Sequence, residues 1–297
     1  MNLDKLVKNI SKRIAEKFVG EDNSKIKEAL IELIIEINQK SFDYDFIPVC
    51  FPVPIEDNYH KIKEYKIDEG KIEDDLAILN LRKNEKQKIY FKIESRRYEY
   101  IKDYSSEKIF LNPQKYTSIS DKIKNFLDNN FSKFLNKRDL IREISTWIFL
   151  NLKYSNIDEM KDAEWIFENR IGNCVHYTTL FISFCRHFKI PARYVLGFAK
   201  YGNFYPHTWA EFYDYDENLW IPVDVSLNQK FYVDATHIPI SRLNLRQVNR
   251  YFKEVNLKIL NDFDEIFRII NFGTEKENYV EIDVKGKILK SEFQYYF

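Results

Sequence analysis

Three residues of this chain have types and settings that suit nucleophilic catalysis: Cys174, His207 and Asp224. A thiol nucleophile needs a base, and the base needs an acid that orients it. Cys174, Tyr177, Phe181, Phe184 and Phe188 recur at intervals of three and four, so they share one face of a helix. Gly172-Asn173 just ahead supplies a flexible entry able to cap that helix. Cys174 is therefore expected in the first turn of a largely buried helix. There the helix dipole and unpaired backbone amides favour a thiolate, and the same amides can donate to a developing oxyanion.

His207 to Tyr213 reads as a strand with His207, Trp209, Glu211 and Tyr213 on one face, and Leu219 to Asp224 reads as its return. The turn-rich Asp214-Tyr215-Asp216-Glu217-Asn218 lies between them. Antiparallel pairing centred between Tyr215 and Asp216 sets His207 directly opposite Asp224, the neighbourhood a His–carboxylate pair requires.

A metal reading of the same region fails on distance. Cys174 with His176, and Cys185 with His187, resemble two half-sites, but eleven helical residues separate them by roughly 16 Å. One zinc ion, with ligands at about 2.0–2.3 Å, cannot bridge that gap. Cys185 is expected to be an apolar filler. His60, His176, His187 and His237 are expected at the surface or in packing, and Trp209 and Trp220 as walls of the site or core. No acidic loop of EF-hand spacing occurs. Neither a metal nor a cofactor is expected.

Four blocks carry a family resemblance: Gly172-Asn173-Cys174, Phe188 to Gly197, His207-Thr208-Trp209-Ala210-Glu211, and Trp220 to Asp224. In order and spacing they resemble the core of the transglutaminase-like superfamily of papain-like Cys-His-Asp enzymes, over roughly 120–226. The resemblance implies an α+β fold, with the nucleophile at the N-terminus of a central helix packed on an antiparallel sheet. It implies Cys174, His207 and Asp224 as catalytic triad, and Tyr154, matching a frequent upstream aromatic, as an oxyanion candidate. Val225 stands where relatives commonly have proline, which touches the turn after the triad. The implied chemistry is acyl transfer on amide bonds through a thioester, foremost a peptidase or amidase acting on a protein or peptide. An amine-accepting cross-linking transglutaminase and a catalytically idle binding or scaffold protein are the alternatives.

The surrounding pattern must position these residues. Leu3 to Phe18 and Ile26 to Ile37 are spaced as two helices; Pro48, Pro52 and Pro54 impose extended or turning backbone on 41–57. Ala77–Leu81 and Gln87–Ile93 read as strands joined by a charged turn. Helical patterns then fill 121–152 and 163–167, and a strand is expected over 193–198. In the tail, a helix is expected over 262–270 and two strands about a turn at Lys285-Gly286. The implied division is an α+β accessory region over 1–115, a catalytic core over 116–240, and an extension over 241–297.

At 297 residues with 44% hydrophobic content, the chain can bury a substantial core. Forty-six basic residues balance forty-six acidic ones, so no net field gathers nucleic acid or anionic lipid. Three cysteines, without a signal-type or membrane-length apolar stretch, point to a cytoplasmic location. The sequence fixes no oligomeric state.

Overall fold

The computed structural model describes residues 26–39, 46–73, 75–103, 107–134, 136–157, 159–242 and 280–293. The helices expected over 3–18 and 262–270 lie outside these residues. The architecture is α+β with antiparallel sheets. The chain divides into two compact units. Among the described residues, one holds those of 100–194 and 209–232; the other holds those of 26–99, 195–208, 233–242 and 280–293.

In the second unit a four-stranded sheet runs β14-β1-β6-β3, from β1 (Ile26–Gln39), β3 (His60–Ile67), β6 (Lys86–Arg96) and β14 (Val280–Phe293). A smaller sheet, β2-β5-β4, is made from β2 (Phe46–Pro52), β5 (Leu76–Arg82) and β4 (Lys71–Glu73). The expected strands near 77–81 and 87–93 are thus β5 and β6, but they lie in different sheets.

The helix expected over 26–37 is instead β1. Its apolar residues fit both periods, since Ile26, Leu30, Leu33 and Ile37 sit at helical intervals. Burial follows the period of two: Ile31, Leu33, Ile35 and Ile37 are all fully buried. Their partners on β6 alternate in phase, Ile31 with Ile93, Leu33 with Phe91 and Ile35 with Ile89. The density of β-branched isoleucine favours the pleated surface. On its other edge β1 pairs with β14 from Gln39–Val280 to Ile26–Phe293. Glu36 receives Lys86 at 2.5 Å and Lys285 at 2.7 Å, and chiefly the Lys285 hydrogen bond pulls its carboxyl down to about 2.

The turn expected at Lys285-Gly286 is a continuous strand. Gly286 has another reason to be glycine: a Cβ there would lie 2.6 Å from Phe204 Cδ2 and 3.0 Å from the Glu32 carbonyl oxygen. Glycine inside a strand here marks a close approach.

The first unit is built around α4 (Cys174–His187), whose residues 174–186 are all buried. Around it are α1 (Asp121–Phe131), α2 (Lys137–Asn151) and α3 (Ala163–Asn169). Asn136 caps α2 through Arg138 N at 2.8 Å and Asp139 N at 3.2 Å; Asp162 caps α3 through Trp165 N at 2.8 Å. Phe184 of α4 meets Trp147 of α2 at 5.8 Å and Phe167 of α3 at 6.3 Å. Arg186 anchors the far end of α4 by donating to Phe110 O (3.0 Å), Thr117 Oγ1 (2.7 Å) and Ala192 O (3.1 Å).

Strands β9 (Ala192–Tyr201) and β10 (Asn203–Asp214) each begin in one unit and end in the other. Within the first unit, β11 (Leu219–Asp224) pairs with β10 and with β12 (Gln229–Lys230). Within the second, β13 (Ile238–Ser241) pairs with β9. Tyr194 Oη donates to Thr179 Oγ1 at 3.1 Å, holding α4 to the start of β9. No helix among the described residues is long and apolar enough to cross a membrane.

Gly286→Ala forces a methyl group into Phe204, and the overpacking is expected to cost about 1–3 kcal/mol. Urea unfolding of the two proteins measures it; an unchanged midpoint would show that Phe204 yields freely.

Candidate active site

The nucleophile's position is set by a tight entry into α4. β7 (Lys153–Tyr154) and β8 (Ile171–Gly172) form a short parallel pair with Tyr154 opposite Gly172. Asn173 then caps α4: its Oδ1 accepts from Val175 N at 3.1 Å, and its Nδ2 donates to Ile157 O at 2.9 Å. His176 closes the cap from the other side, with its Nδ1 3.2 Å from Asn173 N. Gly172 must be glycine for this fold-back, because a Cβ there would meet His176 Cβ at 2.3 Å.

The contacts of His176 define its tautomer. Nε2 lies 3.1 Å from Glu159 O, a pure acceptor, so Nε2 carries the proton and Nδ1 accepts from Asn173 N–H. Nδ1 also lies 2.7 Å from Asn173 Oδ1, a contact that a proton on Nδ1 would turn into a competing hydrogen bond. Burial pushes the imidazole down to about 4, keeping it neutral. The expectation of a surface or packing histidine therefore resolves into a buried helix-capping one.

Cys174 is the first residue of α4 and 9% exposed, at the edge of the core. Cys185 is fully buried, and burial raises its thiol well above the ordinary range. Both are free thiols. The Tyr154 side chain is 48% exposed, and its hydroxyl end lies in the electrostatic neighbourhood of Cys174. Its ionisation is pushed up first by burial, then by the negative charges of Cys174 and Asp224. The hydroxyl thus remains a proton-bearing donor across the physiological range. The first unit brings together Cys174, Tyr154 and Asp224.

Asp224 ends β11 and is buried. Its Oδ1 accepts from Ser226 Oγ at 2.7 Å and Leu227 N at 3.0 Å, which holds the carboxylate at the head of the following turn. The hairpin register differs from the sequence expectation. The ladder runs from Asp214–Leu219 to Ala210–Val223. The expected centre of pairing between Tyr215 and Asp216 is therefore corrected: the ladder centres between Asp216 and Glu217. The cause is the four-residue turn 215–218, opened by Asp214 Oδ1 accepting from Asp216 N at 3.0 Å and closed by Asn218 at φ 56°. Asparagine tolerates that left-handed backbone, and this was the readable signal.

His207 is half-buried in the β10 segment of the second unit. Its ring meets that of His237 edge to face at a centroid distance of 5.6 Å. Of the surface or packing settings expected for His237, the structure shows packing, since it is fully buried. The sequence reading missed Arg193, which is fully buried, holds Glu211 at 2.7 Å and Asp103 at 2.5 Å, and lies 4.1 Å from the Trp220 ring. Arg193 and Glu211 sit within two of the blocks that carry the family resemblance, and here they tie β9 to β10 as a buried ion pair.

Residues 97–225 match the model of the Transglutaminase-like superfamily. This segment resembles that superfamily. The transglutaminase-like segment holds Tyr154, Cys174, His207 and Asp224, together with the capping residues of α4.

Among solved structures, a candidate cysteine protease from Cytophaga hutchinsonii is similar at a TM-score of 0.59 and 17% identity, over 92% of this chain and 94% of that one. That likeness extends the shared fold over nearly the whole chain. The periplasmic domain of TgpA from Pseudomonas aeruginosa, bound to ethylmercury, matches at a TM-score of 0.37 and 14% identity, over 70% of this chain and 95% of that one. No curated protein matches the chain.

The depressed imidazole of His176 gives a pH prediction. An unfolded histidine titrates near 6.5, so between about 6.5 and 4 the unfolded chain binds a proton that the folded chain refuses. Stability from this group is full above 6.5 and is lost as pH falls, by up to about 3 kcal/mol. His176→Asn is expected to flatten the slope of unfolding free energy against pH in that window. An unaltered slope would remove His176 from the acid sensitivity.

Proposed function

We propose that this chain is a cysteine-dependent enzyme that cleaves amide bonds in a protein or peptide by acyl transfer to water. Cys174 is the nucleophile, His207 the general base and acid, Asp224 the orienting acid, and Tyr154 an oxyanion donor. The observation that carries the reading is the setting of Cys174. It opens a capped, buried helix, with the Tyr154 hydroxyl and Asp224 in one electrostatic neighbourhood with its thiol.

The Cys174 thiolate attacks the carbonyl carbon, and the oxygen becomes an oxyanion that the Tyr154 hydroxyl and helix-terminal amides can stabilise. Collapse breaks the carbon–nitrogen bond, and the amine leaves with a proton from His207. His207 then takes a proton from water, whose oxygen attacks the thioester carbonyl, releasing the acid and restoring the thiol. Asp224 favours the imidazolium that appears twice in this cycle. The free thiols of Cys174 and Cys185 support a reducing, cytoplasmic location. Residues 116–240 are proposed as the catalytic core, with 1–115 and 241–297 as accessory regions.

Brief, limiting iodoacetamide treatment followed by mass spectrometry is expected to label Cys174 well ahead of Cys185. Equal labelling counts against the nucleophile.

Cleavage profiling against a peptide library supplies a substrate for single-turnover kinetics. Cys174→Ala is expected to abolish turnover, and His207→Ala to slow it about 10²–10⁴-fold. Asp224→Asn is expected to lose less, since asparagine still touches the ring. A folded Cys174→Ala protein with full activity would place the chemistry elsewhere. Repeating the assay with a primary amine distinguishes hydrolysis from transamidation.

A further inference from the structure

His237 is held more firmly than packing requires. Its Nδ1 lies 3.3 Å from Asp234 Oδ1, which also accepts from Thr236 N at 2.8 Å and Thr236 Oγ1 at 2.6 Å. Its backbone is fixed twice: its N–H donates to Asp234 O at 3.1 Å, and its carbonyl accepts from His60 Nε2 at 2.9 Å. His60 is held in turn, with Nδ1 2.9 Å from Asp57 Oδ1, and Arg242 donates to the other Asp57 oxygen at 2.8 Å. All of these residues lie within the second unit, as does His207.

What this support carries is a ring. His237 is fully buried, and its ring meets that of His207 at an interplanar angle of 69° with centroids 5.6 Å apart. Edge-to-face contact is a preferred meeting of two aromatic rings. His207 is half-buried on β10, where its side chain has freedom to turn about χ1 and χ2. A reacting group misplaced by about 1 Å loses about 10²-fold in rate. A base with that freedom gains from a neighbour whose own conformation is locked.

We propose that His237 is a positioning residue for His207: its locked ring fixes the tilt of the His207 imidazole, and that tilt sets the rate of proton transfer. His237 touches no substrate in this role. The proposal rests on the acyl-transfer reading, in which His207 gives a proton to the leaving amine and takes one from water. Both histidines have further partners, and the ring contact acts alongside them, requiring no particular nitrogen of either ring.

Two substitutions separate the ring from its polar tether. His237→Phe keeps a ring and loses the bond to Asp234; His237→Asn keeps a donor where Nδ1 stands and loses the ring. In steady-state kinetics of the full chain on a substrate found by profiling, His237→Asn is expected to lower kcat about 10-fold or more with KM near wild type. His237→Phe is expected to restore most of that loss. Wild-type kcat in His237→Asn, or equal losses in both folded variants, overturns the proposal. Thermal unfolding checks each variant. If His237→Phe fails to fold, proton NMR decides: nuclear Overhauser contacts between the two rings are expected in the wild type, and in His237→Asn the His207 ring protons are expected to move towards free-histidine positions. Absence of either overturns the ring contact. His207→Ala in the same assay keeps the two readings apart. An active His207→Ala protein refutes acyl transfer through His207, whereas an inactive one beside a fully active His237→Asn refutes the positioning role alone.

Discussion

The first turn of α4 is the constraint on which the proposed chemistry depends. A helix that is buried along its whole length has one end where a side chain can combine core rigidity with solvent access, and Cys174 occupies it. Keeping it there requires the helix to start at residue 174 and not a turn earlier or later. Asn173 and His176 fix that start by bonding the groups that would otherwise fray, and Gly172 leaves room for the fold-back. Tyr154 arrives in the neighbourhood of Cys174 because the β7–β8 pair ties its strand to the residues that enter the helix. Nucleophile and oxyanion candidate thus share one mechanical support.

The buried ion pair of Arg193 and Glu211 plays the matching part in the sheet. Two charges without access to water are costly unless paired and further hydrogen-bonded, and Asp103 with the Trp220 face completes their surroundings. Such a pair tolerates no sliding of β9 against β10. Register matters because a one-residue slip turns every side chain of β10, His207 included, to the opposite face.

How much of this was readable in the sequence depended on the kind of signal. The α4 helix, its cap and the hairpin strands were legible because local periodicity and short-range capping determine them. β1 was misread because its apolar residues satisfy two periods at once, and only pairing with β6 and β14 decides between them. Gly286 was read as a turn because the ring of Phe204, which requires its small size, is remote in sequence. The hairpin register slipped because it hangs on the left-handed conformation of one residue, Asn218. His237 was read only as a surface or packing residue for a related reason: Asp234, His60 and His207 are brought around it by the tertiary fold.

The β1–β14 ladder has a consequence for how the chain is made. Ile26 finds its partner at Phe293, so the central strand of the four-stranded sheet waits through most of translation with one edge bare. During synthesis that edge, flanked by the run Ile31 to Ile37, is an open template for foreign strands. Closing a loop of this size is also slow compared with forming local helices, so the helical unit gains its core while the sheet is still incomplete. The sequence distance between β1 and β14 thus makes the time before β14 is made the interval in which β1 has an unpaired edge.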